Sequence, residues 1–177
     1  NGTKYYKDFW TARNNYIDVI LDRSGENINR FFKENGKKQL SMIDKVNALK
    51  LMEIQRFAQL MYTSCGWFFS EISGIETVQI MKYAARALQL AAKFTNKDIE
   101  TEFLEILSQA KSNIPEHGTG RDIFERFVRP SVVTAKQIAS LWAISSLYAD
   151  FEDEENVYCY TIKKHAYKKV QKGNSAF

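Results

Sequence analysis

The sequence predicts an all-α fold of six to eight helices around one core, and three observations predict it. Only two prolines and eight glycines occur in 177 residues, and long helices tolerate few of either. Apolar residues recur at helical spacing through most of the chain. Helix-start residues (Ser, Thr or Asp followed by an apolar stripe) stand at the head of nearly every such run. With 45% hydrophobic and 14% aromatic residues, the composition is globular and supplies a sizeable core.

Taken in order, Tyr5 to Leu21 reads as a first helix, with Phe9, Trp10, Ala12, Tyr16, Ile17 and Ile20 on its apolar side. Ser24 caps a short second helix through Phe31 and Phe32, which Gly36 ends. Ser41 and Asp44 resemble a capping box and open a long helix to about Tyr62. Its apolar residues spread beyond one stripe, so it is expected to be central. Ser73 and Glu76 form a full capping box before a helix that runs to about Phe94, with Ala84, Ala85, Ala87, Ala91 and Ala92 giving it small faces. The short connector makes these two long helices neighbours. A helix from Thr95–Asp98 to about Lys111, a loop from Ser112 to Gly120, a helix from Arg121 to Arg129 stopped by Pro130, and a last helix over Thr134 to Tyr148 complete the helical part.

Then the texture changes. Asp150, Glu152, Asp153, Glu154 and Glu155 form an acidic break. Val157 to Ile162 is rich in β-branched and aromatic residues and reads as a strand. No second convincing strand follows, so its partner is expected elsewhere, in a missing part of a longer parent. The expected organisation is a helical domain over 1–150, followed over 151–177 by the acidic break, the strand and a basic tail.

The net charge of +4 belongs to that tail, where Lys163, Lys164, Lys168, Lys169 and Lys172 stand with no acid among them; the rest is near neutral. A nucleic-acid binder would carry its charge on a folded face, so nucleic acid is not the expected partner. Neither is a membrane, since no run of about 20 apolar residues exists. With no signal peptide at the start, the expected location is cytoplasmic. Cys65 and Cys159 sit among apolar residues and are expected to be buried free thiols.

Motifs for chemistry are scarce. No phosphate-binding glycine loop, zinc spacing or nucleophile elbow occurs, and His117 and His165 lack partners at metal-ligand spacing. No catalytic residue, metal or cofactor is therefore assigned. The segment from Tyr62 to Gly74 is the most informative. It joins two long helices, yet it is dense in aromatics where a plain connector would be polar. Trp67, Phe68 and Phe69 either fold back as a plug or face outward. Trp67 follows Gly66, which permits close approach of another surface, and Glu71 falls four residues later, on the same face if the segment is helical. An indole beside a carboxylate is a pattern that binds sugars, so Trp67, Glu71 and Phe68 are candidate substrate contacts. Glu53 and Arg56 form an i, i+3 polar pair, either a structural ion pair or the floor of a cleft. The compact loop with Asn113, Glu116 and His117 either lines a site or is an ordered turn. Trp10 and Trp142 lie within helical stripes and are expected in the core.

The run MYTSCGWFFSEISGIETVQIMKYAARALQLA resembles the C-terminal helical region of proteins classed with family 57 of the glycoside hydrolases, the α-amylase/α-mannosidase-like group, and more specifically the domain of unknown function 3536. KSNIPEHGTGRDIFERFVRP and FWTARNNYIDVILDR fit the same family. The resemblance implies a catalytic β/α barrel that precedes this region in the parent chain and holds the two reacting carboxylates. It implies that this domain packs on that barrel, helps wall a cleft for an oligo- or polysaccharide, and does no chemistry alone. The alternative is a structural or protein-interaction module with no carbohydrate contact.

Overall fold

The computed structural model describes residues 2–157, 160–166, 168, 171–172 and 175–176. The chain is mostly helical, as expected, and divides into two compact units, Asn1–Val132 and Val133–Phe177.

In the first unit a single 3-10 turn, Gly2–Lys4, leads to α1 (Phe9–Leu21), α2 (Gly25–Asn35), α3 (Met42–Leu60), the one-turn α4 (Cys65–Phe68), α5 (Ile75–Ala91), α6 (Ile99–Leu107) and α7 (Gly120–Ile123). α1 begins later than the apolar pattern suggested, because the Asp8 side chain accepts the Thr11 amide at 2.6 Å and fixes the N-cap there. This start decides which face is buried. Ala12, Tyr16 and Val19 are inside, the i, i+4, i+7 stripe of a helix. Trp10 precedes Ala12 by two residues, about 200° round the wheel, so it points away. Trp10 is 61% exposed, and Ile17 and Leu21 are exposed on the same outer side. The expectation that Trp10 and Ile17 belong to the core is corrected.

Two apolar cores result. The first gathers Tyr6, Tyr16, Phe31, Phe32, Ala48 and Met52 from α1, α2, α3 and the leading turn. Its aromatics meet mostly edge to face, with Tyr16–Phe31 at 5.7 Å and Phe31–Phe32 at 5.6 Å between ring centroids. The second gathers Val78, Met81, Ala85, Leu104, Ile123, Phe124 and Val128 from α5, α6, α7 and the turns after it. α3 and α5 pack against each other, and Phe57 meets Tyr83 at 6.1 Å across that contact. The centrality expected of α3 holds for its C-terminal half, where residues 47–58 are all at least partly buried. Met42, Ile43 and Val46 at its start are exposed.

The capping pattern is followed in part. Ser41 caps α3 through the Asp44 amide at 3.1 Å, and Asp98 caps α6 through that of Thr101 at 3.1 Å. The box expected at Ser73–Glu76 does not form. Gly74 is the N-cap of α5, and the Ser73 amide is taken by Glu71. Thr119 and Asp122 instead build a reciprocal box at α7. The helix expected over Arg121–Arg129 changes pitch: α7 gives way to a wider π turn, Phe124–Val128, in which the Arg129 amide reaches the Phe124 carbonyl, and then to a 3-10 turn, Arg129–Ser131. Pro130 therefore lies inside that last turn, where its missing N–H costs nothing.

The second unit holds α8 (Ala135–Ser145), headed by Thr134 with its amide on Gln137 Oε1 at 2.7 Å. Among the described residues four short strands follow: β1 (Glu154–Val157), β2 (Tyr160–Lys163), β3 (Gln171–Lys172) and β4 (Ser175–Ala176). β1 pairs antiparallel with β2, and β3 with β4. This corrects the expected lone strand over Val157–Ile162. The acidic break itself supplies the partner, with Glu154 opposite Lys163 and Glu155 opposite Ile162. Lys163 pairs with Glu154 at 3.1 Å and Lys164 with Asp153 at 3.0 Å, so two of the tail lysines answer the acids before them. The need for an outside partner strand falls with that pairing. Of the expected buried thiols, Cys65 is exposed, because it opens the one-turn α4 on the surface; Cys159 lies outside the described residues. Trp142, expected in the core, is half-buried in this unit against Phe151. No helix is long and apolar enough to cross a membrane among the described residues.

Candidate functional site

The connector between α3 and α5 is built from the backbone outward. α3 ends at Leu60, and the Met61 amide closes it on the Phe57 carbonyl at 3.0 Å. α4 then lies directly on α5. A Cβ added at Gly66 would stand 2.1 Å from Ile80 Cδ1, so any side chain here would have to displace the Ile80 side chain. The Thr77 hydroxyl donates to the Gly66 carbonyl at 3.1 Å and locks the contact. The close approach foreseen at Gly66 is therefore to the chain's own α5. With that side of α4 occupied, its aromatic side chains point out: Trp67 and Phe68 are each 72% exposed. Phe69, in extended conformation, ends the turn and meets Phe68 edge to face at 5.1 Å.

Glu71 follows in non-helical backbone, so it does not share a helical face with Trp67. Its carboxylate accepts from the Ser73 amide at 2.8 Å, the Ser112 hydroxyl at 2.6 Å and the Asn113 amide at 2.7 Å. Asn113 completes the clasp by donating its side-chain amide to the Ser70 carbonyl at 2.6 Å. The Ser112 hydrogen bond, supported by the two backbone amides, holds the Glu71 carboxyl down at about 2. The structure thus brings together two of the segments singled out in the sequence. Glu71 acts in it as a staple, with three donors already on its oxygens.

The rest of the Asn113 loop is an ordered turn. Pro115–His117 forms a 3-10 turn, Gly118 takes a left-handed φ of 65°, and the Ser112 and Gly120 amides close the loop on the carbonyls of Gly118 and Ala110 at 2.9 and 2.8 Å. Glu116 is exposed. His117 is half-buried, its ring edge to face with Phe127 at 5.7 Å, and its Nδ1 has no partner among the described residues.

Glu53 and Arg56 sit in α3 as the centre of a polar network. Arg56 pairs with Glu53 at 2.7 Å, Arg23 reaches the same carboxylate at 2.9 Å, and the Tyr16 hydroxyl donates to it at 2.7 Å. Burial pushes against ionisation of Glu53, but the hydrogen bonds from Arg56, Tyr16 and Arg23 prevail and hold its carboxyl below the usual range. Burial, then the Glu53 hydrogen bond, pushes the Tyr16 phenol up. The network ties α1, through the Tyr16 hydroxyl, and Arg23 just beyond its end to α3.

One feature was missed by sequence reasoning. A cleft of about 470 Å³ opens beside the start of α1, lined by Gly2, Thr3, Lys7, Asp8, Phe9, Trp10, Leu51 and Gln55. Its signal was Asp8 as a helix cap, which turns Trp10 outward. Among the described residues no group of three or more His, Cys, Asp and Glu stands close enough to hold a metal ion.

The chain belongs to the family described as domain of unknown function DUF3536, whose model matches residues 1–177. No curated protein and no solved structure matches it.

Proposed function

We infer that this chain is an accessory, non-catalytic helical domain of a cytoplasmic glycoside hydrolase of the family-57-like group, acting on α-glucan or a related polysaccharide. It packs beside a catalytic barrel of the same parent chain and completes one wall of the substrate cleft. The observation that carries this reading is the aromatic segment itself. Trp67 and Phe68 are held outward by a backbone clamped at Gly66 and by the Glu71–Ser112–Asn113 staple. A displayed aromatic pair on a fixed backbone offers a preformed apolar face to sugar C–H groups or to a neighbouring domain, with little ordering cost on binding. Glu71 then serves by positioning the segment and not by receiving sugar hydroxyls.

In the full-length protein, Trp67→Ala is expected to raise the Kd for a malto-oligosaccharide about tenfold, the equivalent of about 1.4 kcal/mol, while the melting temperature stays near that of the parent. Unchanged binding would sink the carbohydrate wall. The alternative, a structural or protein-interaction module, is favoured by one observation: the Glu71 oxygens that would orient a sugar are already occupied by the chain's own donors. That reading predicts a Trp67→Ala protein with normal sugar binding but with the domain released from its neighbour, visible as a separate melting transition.

A further inference from the structure

We propose that the cleft at the head of α1 is a second carbohydrate-binding site, for a neutral saccharide unit stacked on Trp10. The cleft's volume, about 470 Å³, is in the range of small-molecule sites, roughly 300–1,000 Å³. Its chemistry is unusual in what has been used up. The Lys7 ammonium, the cation in the lining, donates to the carbonyls of Lys33 at 3.1 Å and Glu34 at 2.7 Å, closing the C-terminal turn of α2. Asp8 Oδ1 is committed to the Thr11 amide at 2.6 Å. Both charges therefore have structural work.

What remains for a ligand is the second Asp8 oxygen and the aromatic and polar groups of the wall. Trp10 presents its indole to solvent, with Phe9 against it edge to face at 5.7 Å and the Arg13 guanidinium 4.8 Å from its ring centroid. Leu51 adds apolar wall. The Gln55 amide and the Thr3 hydroxyl line the cleft with no hydrogen-bond partner among the described residues. An aromatic face with an amide and a hydroxyl, each able to donate and accept, matches a sugar ring: C–H groups lie on the indole, and hydroxyls exchange hydrogen bonds with neutral partners. Open and aromatic-walled, the site suits weak binding along a polymer. The assignment stands on the cleft's own geometry, independently of the accessory role proposed above.

The test is a titration of the isotope-labelled full-length protein with maltotetraose, cellotetraose, adenosine and inorganic phosphate, following the separate indole N–H resonances of Trp10 and Trp67. At least one tetrasaccharide is expected to move the Trp10 resonance with a Kd of about 1 mM, and Gln55→Ala to raise that Kd several-fold. Trp10→Ala, followed by calorimetry, is expected to raise the Kd at this site about tenfold. Trp10 is largely exposed, so this variant is expected to fold, and Gln55→Ala retains the reporter. A Trp10 resonance that no tetrasaccharide moves overturns the proposal. So does movement by adenosine or phosphate alone, or binding that both variants leave intact. Trp67 reports the other wall separately, so a failure there leaves the Trp10 result readable.

Discussion

Two aromatic groups of similar composition have opposite fates in this domain. Tyr6, Tyr16, Phe31 and Phe32 are buried against one another in the first core. Trp67, Phe68 and Phe69, only a few residues beyond the end of α3, are turned to solvent. Hydrophobicity does not separate them. What separates them is whether the backbone that carries them presents a side to another helix. α1 and α2 offer their aromatic stripes to each other, so burial follows from regular geometry. α4 has a single turn, and its inner side is taken by the glycine contact with α5, so its large side chains have nowhere to go but out. The outward aromatics are thus a consequence of Gly66 as much as of Trp67, which is why they read as a display surface and not as a failed core.

The buried group should break most dramatically. Phe31→Ala removes a ring packed against Tyr6, Tyr16 and Phe32, and is expected to cost about 3–5 kcal/mol, read as a large fall in the denaturation midpoint. A loss below about 1 kcal/mol would mean that this core collapses around the hole or is not the core.

Next in size is the carboxylate beneath that core. Glu53→Gln leaves Arg56 and Arg23 facing a neutral amide. With the Glu53 side chain only 17% exposed, the expected cost is about 2 kcal/mol, between that of a buried and a surface pair. The pH dependence has a definite sign. Because the folded carboxyl lies below its ordinary value of 4.5, its contribution is complete above that value and is lost as pH falls through the folded value. The gap between parent and variant should therefore be widest near neutrality and shrink in acid. A gap that widens in acid would contradict the network.

How far the sequence revealed this arrangement follows from what each element depends on. Helix existence was legible wherever an apolar stripe followed a local cap, as at Ser41 and Asp98. It misled where a distant group competes for the same donor: Glu71 takes the Ser73 amide, so the expected box at α5 does not form. The hairpin was hidden because its first strand is acidic, and its pairing is cross-strand charge matching between Glu154 and Lys163. Of the candidate site, the aromatic segment and the Asn113 loop were visible as unusual stretches. Their joining by Glu71 across about forty residues was not, since no local spacing encodes a long-range hydrogen bond. Trp10 was misplaced by reading the stripe without first fixing the helix start.

A smaller effect should come from that joint. Glu71→Gln keeps one acceptor oxygen and turns an NH2 toward the donors on the other, the Asn113 amide or the Ser73 amide with the Ser112 hydroxyl, so at least one of the Ser73 and Asn113 amides is expected to exchange with solvent faster, while the first core stays protected. The parent carboxyl lies at about 2, below its ordinary value. Its stabilising contribution is therefore full above about pH 4.5 and is lost progressively between there and about 2. Parent and variant should converge over that window. Equal exchange in both proteins at neutral pH would show that the loop holds its place without the staple.

The smallest effect on stability should be the truncation of the most conspicuous side chain. Trp67 is mostly exposed, and its backbone is fixed by Gly66, Thr77 and α5, none of which needs the indole. In the domain alone, Trp67→Ala is expected to change stability by no more than about 0.5 kcal/mol, the usual range for a surface substitution. Gly66→Ala is the instructive companion. Its added methyl meets the Ile80 side chain at 2.1 Å, so either Ile80 turns aside or α4 moves off α5, and that is expected to cost more than deleting the whole indole. One methyl gained at residue 66 should therefore matter more to the fold than a bicyclic ring lost at residue 67. If the order is reversed, with Trp67→Ala melting well below Gly66→Ala, the indole is packing against something in the folded domain. The contrast between buried and displayed aromatics would then fail at the position on which it chiefly rests.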